Sequence, residues 1–245
     1  MSGFSFISLK KVGSTNGFLL DMPEMERVGK VAYAEEQTAG KGMGVNVWES
    51  QPGENLTFSM GVEMAFLKAA DQFLLSQAVP LGLLDVLDTV LPSEQLTVKW
   101  PNDLYFGSRK LCGILINSTV HGMDMGVSVI GIGLNVNQMQ FRDWPTNPIS
   151  MKMVVGHDVD LEPLLKQLVA AVDQRIQMLR SPEGIVKIKD EYLARMYRYH
   201  QWGHFEIKQG LVKLYVDGID QFGRLMTLDE SGTPQVFDIK ELKFL

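Results

Sequence analysis

Three short stretches of this chain gather residue types able to do polar chemistry. Val98-Lys99-Trp100-Pro101-Asn102-Asp103-Leu104-Tyr105 sets a cation, an indole, an amide and a carboxylate within one apolar run. Pro101 removes a backbone donor and pushes Trp100 toward extended geometry, so a strand must end or lie at an edge where the polar groups gather. A site at a strand end is one reading; a turn in which Asn102 and Asp103 bond their own backbone is the other. Gly40-Lys41-Gly42-Met43-Gly44 is glycine-dense, which lets backbone amides approach an anion closely while Lys41 adds charge. A phosphate or carboxylate fits such a loop. It is not a P-loop, since no Ser or Thr follows its Gly-Lys pair. Gly131-Ile132-Gly133-Leu134-Asn135-Val136 is not a dinucleotide fingerprint, because Val136 takes the third glycine's place. Taken singly, each glycine loop is equally well a plain turn.

The elements that must position these groups can be read from periodicity. Phe4 to Leu9 reads as a strand, and Ser14-Thr15-Asn16 offers N-caps for a short helix over Phe18 to Met22. Val31 to Glu35 is a second strand. Leu56, Phe58, Met60, Val62 and Met64 alternate, the period of a half-buried strand. Helical spacing runs from Ala69 to Leu91, where Pro80 must kink the helix or divide it. Val98 to Tyr105, Lys110 to Thr119 and Val127 to Val136 follow as three strand-like runs, then helices over Leu161 to Leu179 and Glu183 to Met196. After Trp202-Gly203 short alternating runs (His204 to Lys208, Leu211 to Asp217, Gly223 to Leu228, Gln235 to Ile239) predict a small β-barrel. The expected fold is α+β, mixed α/β with an antiparallel sheet, divided between Arg195 and Trp202 into residues 1–197 and 198–245.

Composition narrows the function classes. At 245 residues, 45% hydrophobic and 21% charged, the chain is globular and long enough to bury a sizeable core. A net charge of -6 with no local basic patch disfavours DNA binding. A single cysteine excludes an internal disulfide; Cys112 reads as a small buried residue of an apolar strand. His200 and His204 have a metal-compatible spacing, but Trp202-Gly203 argues against a helix there and no carboxylate cluster accompanies them. The start Met-Ser-Gly-Phe-Ser has no signal pattern and no apolar run reaches the roughly 18 residues of a spanning helix, so a cytoplasmic, non-membrane protein is expected.

Taken together and in order, the blocks resemble those of biotin protein ligases over nearly the whole chain. Ser14-Thr15-Asn16 is similar to the family's opening motif, Gln37-Thr38-Ala39-Gly40-Lys41-Gly42 to its adenylate loop, and Lys99-Trp100-Pro101-Asn102-Asp103 to its signature. Arg109-Lys110-Leu111-Cys112-Gly113-Ile114-Leu115 and Gly131-Ile132-Gly133-Leu134-Asn135 resemble the two blocks that follow. The resemblance implies a catalytic core like that of class II aminoacyl-tRNA synthetases, with an SH3-like C-terminal barrel. It also implies two steps: biotin carboxylate attacks the ATP α-phosphate, and a lysine of a biotin carboxyl carrier protein then attacks the biotinyl adenylate. ATP, Mg2+ and biotin are the implied cofactor and substrates. The reacting set it implies is Lys110, Asp103 and Lys41. Biotin falls to Ser14, Thr15, Asn16, Gln37, Gly40, Lys41, Gly113, Ile114 and Gly131. The adenylate falls to Gly42, Met43, Trp48, Asn102, Lys110 and Asn135, with Trp48 packing on adenine and Asn135 reading its edge. Two departures stand out: Lys41 and Met43 occupy positions where the family commonly has arginine, and methionine cannot bind phosphate. Reaching the motifs by Ser14 leaves no room for the helix-turn-helix domain of some relatives, implying an enzyme and not a repressor. A homodimer formed through a sheet edge is within the family's range. Lipoate ligases share the fold, so lipoate ligation is the alternative enzyme reading, and a noncatalytic sensor of biotin or its adenylate the alternative from another class.

Overall fold

The computed structural model describes residues 3–42, 44, 47–141 and 147–245. A seven-stranded sheet forms from β1 (Ser5–Val12), β2 (Lys30–Gln37), β3 (Leu56–Glu63), β4 (Leu96–Lys99), β5 (Asp103–Phe106), β6 (Arg109–His121) and β7 (Asp124–Leu134), in the spatial order β1-β2-β3-β7-β6-β5-β4. β1 and β2 are parallel; every other pair is antiparallel. The expected mixed α/β architecture is present.

The sheet is covered on both faces, which corrects the half-buried reading of Leu56 to Met64. Leu56, Phe58, Met60 and Val62 face the main core, while Thr57, Ser59 and Gly61 are buried on the opposite face. That second face is roofed by the short helix α1 (Thr15–Leu20), whose Leu19 packs on Ala32 and Val129. The small and hydroxylic residues of β3 are therefore interior groups with partners: Thr57 Oγ1 donates to Ala34 O at 3.2 Å. Alternation in the sequence reported two faces correctly but could not report what covers the second.

The main core lies between the sheet and three helices, α2 (Phe73–Leu87), α4 (Leu161–Met178) and α5 (Pro182–Ala194). A five-residue helix, α3 (Met151–Val155), capped by Ser150, precedes α4 and was not anticipated. α2 runs unbroken through Pro80, so of the two expected outcomes, a kink or a division, the division does not occur. Proline deletes one bond, to the carbonyl of Ser76. Burial of every α2 residue except Ser76 and Asp85 outweighs that loss, because helix stability in proteins comes chiefly from packing. Gly82 lets α2 and α4 cross backbone to backbone, since a Cβ there would lie 2.6 Å from Val172 Cα. Outside the core, Arg175 bridges Asp85 at 2.6 Å and Arg195 bridges Asp88 at 2.7 Å, tying α4 and the end of α5 to α2.

Val98 to Tyr105 is not one run but a hairpin. β4 ends at Lys99, Trp100-Pro101-Asn102 makes the turn with a cis Trp100–Pro101 peptide, and β5 returns with Asp103 opposite Lys99. The terminal residues form a second antiparallel sheet from β8 (Trp202–Ile207), β9 (Gly210–Ile219), β10 (Leu225–Leu228), β11 (Pro234–Phe237) and β12 (Leu242–Phe244), in the order β11-β10-β9-β8-β12. The last strand, three residues long, escaped the periodicity reading. This small sheet is seated on the core: Phe205, Leu214, Val216, Leu225 and Leu242 belong to the same buried cluster as Phe73 and Tyr192. No helix among the described residues is long and apolar enough to cross a membrane.

The helix crossing gives a stability test. Gly82→Ala must push α2 off Val172, and overpacking of this kind costs about 1–3 kcal/mol. Urea unfolding should show that loss as a lower midpoint with an unchanged slope; an unaltered midpoint would mean that the crossing is looser than described.

Candidate functional site

One cavity of about 310 Å³ collects most of the residues singled out in the sequence. Its walls come from the start of α1 (Ser14, Thr15, Asn16), the end of β2 (Gln37), the glycine loop (Lys41, Gly42), Trp48, and Ser59 of β3. The hairpin adds Lys99 to Asp103, β6 adds Lys110 and Gly113 to Leu115, β7 adds Gly131 to Gly133, and the small sheet adds Lys240, Leu242, Lys243 and Phe244. The volume suits a small-molecule site.

The inner part is a hydrogen-bonding chamber. Ser14 caps α1, accepting from Gly17 N at 3.4 Å, so its capping and pocket-lining roles coexist. Thr15 donates to Gln37 Oε1 through its backbone N at 2.7 Å and its hydroxyl at 3.1 Å, and its hydroxyl also meets Ser59 at 2.9 Å. Asn16 donates through Nδ2 to Leu115 O at 3.2 Å, which leaves its buried Oδ1 without a partner among the described residues. An orphaned buried acceptor costs about 1–3 kcal/mol unless a ligand supplies a donor. Gly131 is required here by space, since a Cβ would stand 2.6 Å from Asn16 Nδ2. The Trp48 indole lies against the bare backbones of Gly113 and Gly133, where a Cβ on either would meet its ring, and its buried Nε1 has no partner either.

The outer part is electropositive. Lys41, Lys99, Lys110, Lys240 and Lys243 line it against a single lining carboxylate, Asp103, among the described residues. Lys110 Nζ pairs with Asp103 at 2.8 Å, with both side chains about four-fifths buried. Lys99 donates to the Tyr105 hydroxyl at 2.9 Å, and burial pulls its ammonium down to about 8 although Asp103 opposes the shift. Burial likewise raises the Tyr105 hydroxyl, which keeps its proton. The turn that presents these groups is fixed twice: Asn102 Nδ2 donates to Ile114 O at 2.6 Å and Ile114 N to Asn102 O at 2.9 Å. Trp100, 3% exposed, donates from Nε1 to Gly223 O of the small sheet at 2.8 Å.

Two of the described expected residues, Gly40 and Asn135, are not in the cavity wall. Gly40 acts by close approach: Trp48 N donates to its carbonyl at 3.0 Å, and a side chain would strike Trp48 O. Asn135 is buried, with Nδ2 donating to Ile149 O at 3.1 Å and Lys110 O at 3.4 Å, so its amide braces the strand that carries Lys110. Met43 lies outside the described residues. Cys112 is buried and free, and desolvation pushes its thiol up. His200 stacks between Tyr199 and Tyr215, at 3.9 Å and 5.9 Å between ring centres. Ser59, Lys240, Lys243 and Phe244 reach the cavity only through long-range packing, and no local signal marked them. Lys99 opens the signature motif but is not among the residues to which the resemblance gives a role.

The model of the Biotin/lipoate A/B protein ligase family matches residues 10–135, about half of the chain. The bifunctional ligase/repressor BirA of Escherichia coli K12 is 30% identical over 234 residues, covering 95% of this chain and 69% of the relative. The biotin acetyl-CoA-carboxylase ligase of Paracoccus denitrificans is 29% identical over 246 residues, covering 96% and 99%. In fold, the chain superposes on the biotin protein ligase from Aquifex aeolicus solved with biotin and ATP, with a TM-score of 0.80 at 22% identity and coverage of 98% and 99%. A family model matched over half of the chain, and a relative 30% identical of which two thirds is covered, show that the chain belongs to the biotin/lipoate A/B protein ligase family.

Proposed function

We propose that the protein is an ATP-dependent biotin protein ligase, which makes biotinyl adenylate with release of pyrophosphate and transfers biotin to a lysine of a biotin carboxyl carrier protein. The observation that carries this reading is the junction of two unlike halves in one cavity. A ureido ring needs few, well-placed partners in a dry pocket, and Thr15, Asn16 and Gln37 offer them, with the free Oδ1 of Asn16 suited to accept from a ring N–H. A carboxylate approaching a triphosphate needs cations, and the lysine mouth provides them.

In this reading Lys110 stands where the carboxylate meets the α-phosphate, and moves from Asp103 to the developing negative charge. Asp103 holds Lys110 in place beforehand and orients the incoming amine. Lys41 supports the phosphates from the glycine loop, and Trp48 offers a stacking face for adenine against the Gly113 and Gly133 backbones. Asn102 and Asn135 act through the backbone, holding the hairpin turn and the Lys110 strand. Among the described residues the cavity wall does not suit a protein-held metal, because its one carboxylate is committed to Lys110; magnesium would enter with ATP as part of the substrate and offset phosphate charge there. We assign catalysis to residues 1–197 and the accessory barrel to 198–245, and place the enzyme in the cytoplasm, where ATP and carrier are found. The names of the full-length relatives support biotin over lipoate.

Pyrophosphate exchange into ATP tests the substrate: exchange should require biotin, and exchange with lipoate or octanoate but none with biotin would refute the assignment. Lys110→Ala should lower single-turnover adenylate formation by about 100-fold or more, the scale for losing one preorganised charge-stabilising donor; an unchanged rate removes Lys110 from the step. Gly131→Ala should displace the Asn16 amide and raise the dissociation constant for biotin at least about tenfold, the scale of one lost buried hydrogen bond. Calorimetric titration checks this, and undiminished affinity would place biotin elsewhere.

A further inference from the structure

Lys99 belongs to the cavity wall, yet the adenylation step as described gives it no work. We propose that Lys99 is the proton acceptor of the transfer step, taking the proton that the carrier's lysine must lose before it attacks biotinyl adenylate; the proposal rests on the ligase reading above.

The placement is specific. Lys99 ends β4 directly across the ladder from Asp103, lines the same cavity as Lys110, and is half-buried. Its ammonium makes no ion pair within 4.0 Å among the described residues; the group it bonds is the Tyr105 hydroxyl at 2.9 Å. β5 faces it with Asp103 and Tyr105, β6 with Lys110, the segment after α5 with Tyr197 and Arg198, and β12 with Lys243 and the Phe244 ring, whose centre is 5.2 Å from Nζ. Burial away from water and three neighbouring cations, against one carboxylate already held by Lys110, disfavour a charged amine here and outweigh the attraction of the Tyr105 and Phe244 rings for the ammonium. Geometry and desolvation agree, with the ammonium drawn down to about 8. Tyr105, keeping its proton, can donate to the neutral amine in that state.

The chemistry calls for such a group. An alkylammonium releases its proton to a carboxylate against about six powers of ten, and to an amine of Lys99's kind against only two to three. The step balances as follows. The carrier's ammonium gives one proton to neutral Lys99. The freed amine forms the C–N bond to the acyl carbon, the bond from that carbon to the phosphate oxygen breaks, and AMP leaves with the electron pair. The second nitrogen proton goes to the departing phosphate, so the products are the amide, singly protonated AMP and protonated Lys99, which then returns its proton to water. Lys99 accepts only when neutral, so transfer should speed up as pH rises through about 8 and level off above it.

The test supplies full-length protein with chemically prepared biotinyl adenylate and follows one turnover of transfer to a biotin carboxyl carrier domain between pH 6 and 9.5. Wild type should show the inflection near 8. Lys99→Arg keeps the charge but cannot lose it, so it should transfer at least about 30-fold more slowly at pH 8 without that inflection, and Lys99→Met should match it. Adenylate affinity, read from tryptophan fluorescence, establishes that the variants are folded and loaded. If Lys99→Arg keeps the wild-type rate and inflection, or if the loss lies in adenylate affinity while transfer at saturation is normal, Lys99 is a phosphate-binding cation and the proposal fails. Wild type that transfers to no carrier at any pH overturns the ligase reading itself, and the proposal with it.

Discussion

The site depends on one constraint, the double anchoring of the turn Trp100-Pro101-Asn102. On one side the Trp100 indole is buried and bonded to Gly223 O in the small sheet; on the other Asn102 exchanges two hydrogen bonds with Ile114 of β6. Gly223 can take part because its positive φ of 84° and lack of a side chain let Phe73 pack where a Cβ would stand. With both ends of the turn fixed, Lys99 and Asp103 are held side by side, and Asp103 is delivered to Lys110. The polar groups that make the motif a poor strand are the ones a rigid turn must carry if charges are to stay in place without solvent.

Electrostatics follow from that geometry. A chain of net charge -6 nevertheless concentrates five lysines around one cavity, drawing them from the glycine loop, two strands of the large sheet and the final strand and turn of the small one. No two lie in the same short window except Lys240 and Lys243, so the absence of a basic run in the sequence said nothing about the local field. Self-repulsion among these lysines is a cost that a polyphosphate offsets on binding. The small sheet thus contributes both a brace for the hairpin and charge for the mouth.

Much of this was legible in the residues. The motif blocks, their order and their assignment to loops and strand ends carried over, because glycine, proline and capping residues act through local backbone geometry that a sequence states directly. What was not legible came from tertiary contact. Pro80 signalled a kinked or divided helix, and burial of nearly every α2 residue kept the helix continuous. Thr57 and Ser59 looked like a solvent face until α1 roofed them. Asn135 carried a motif that suggested a ligand contact, and its Nδ2 also braces the Lys110 strand through two backbone carbonyls, a role the motif does not state. Lys240 and Lys243 reach the cavity across more than a hundred residues of chain, beyond any periodicity.

The central claim is that one cavity holds both halves of the adenylate. A crystal structure of the protein with biotinyl adenylate tests this most directly. The account predicts the ureido ring beside Thr15, Asn16 and Gln37 with Asn16 Oδ1 accepting from it, and the acyl phosphate within hydrogen-bond reach of Lys110. A ligand bound in reverse, or anywhere outside the walls formed by α1, the hairpin and β7, would contradict it.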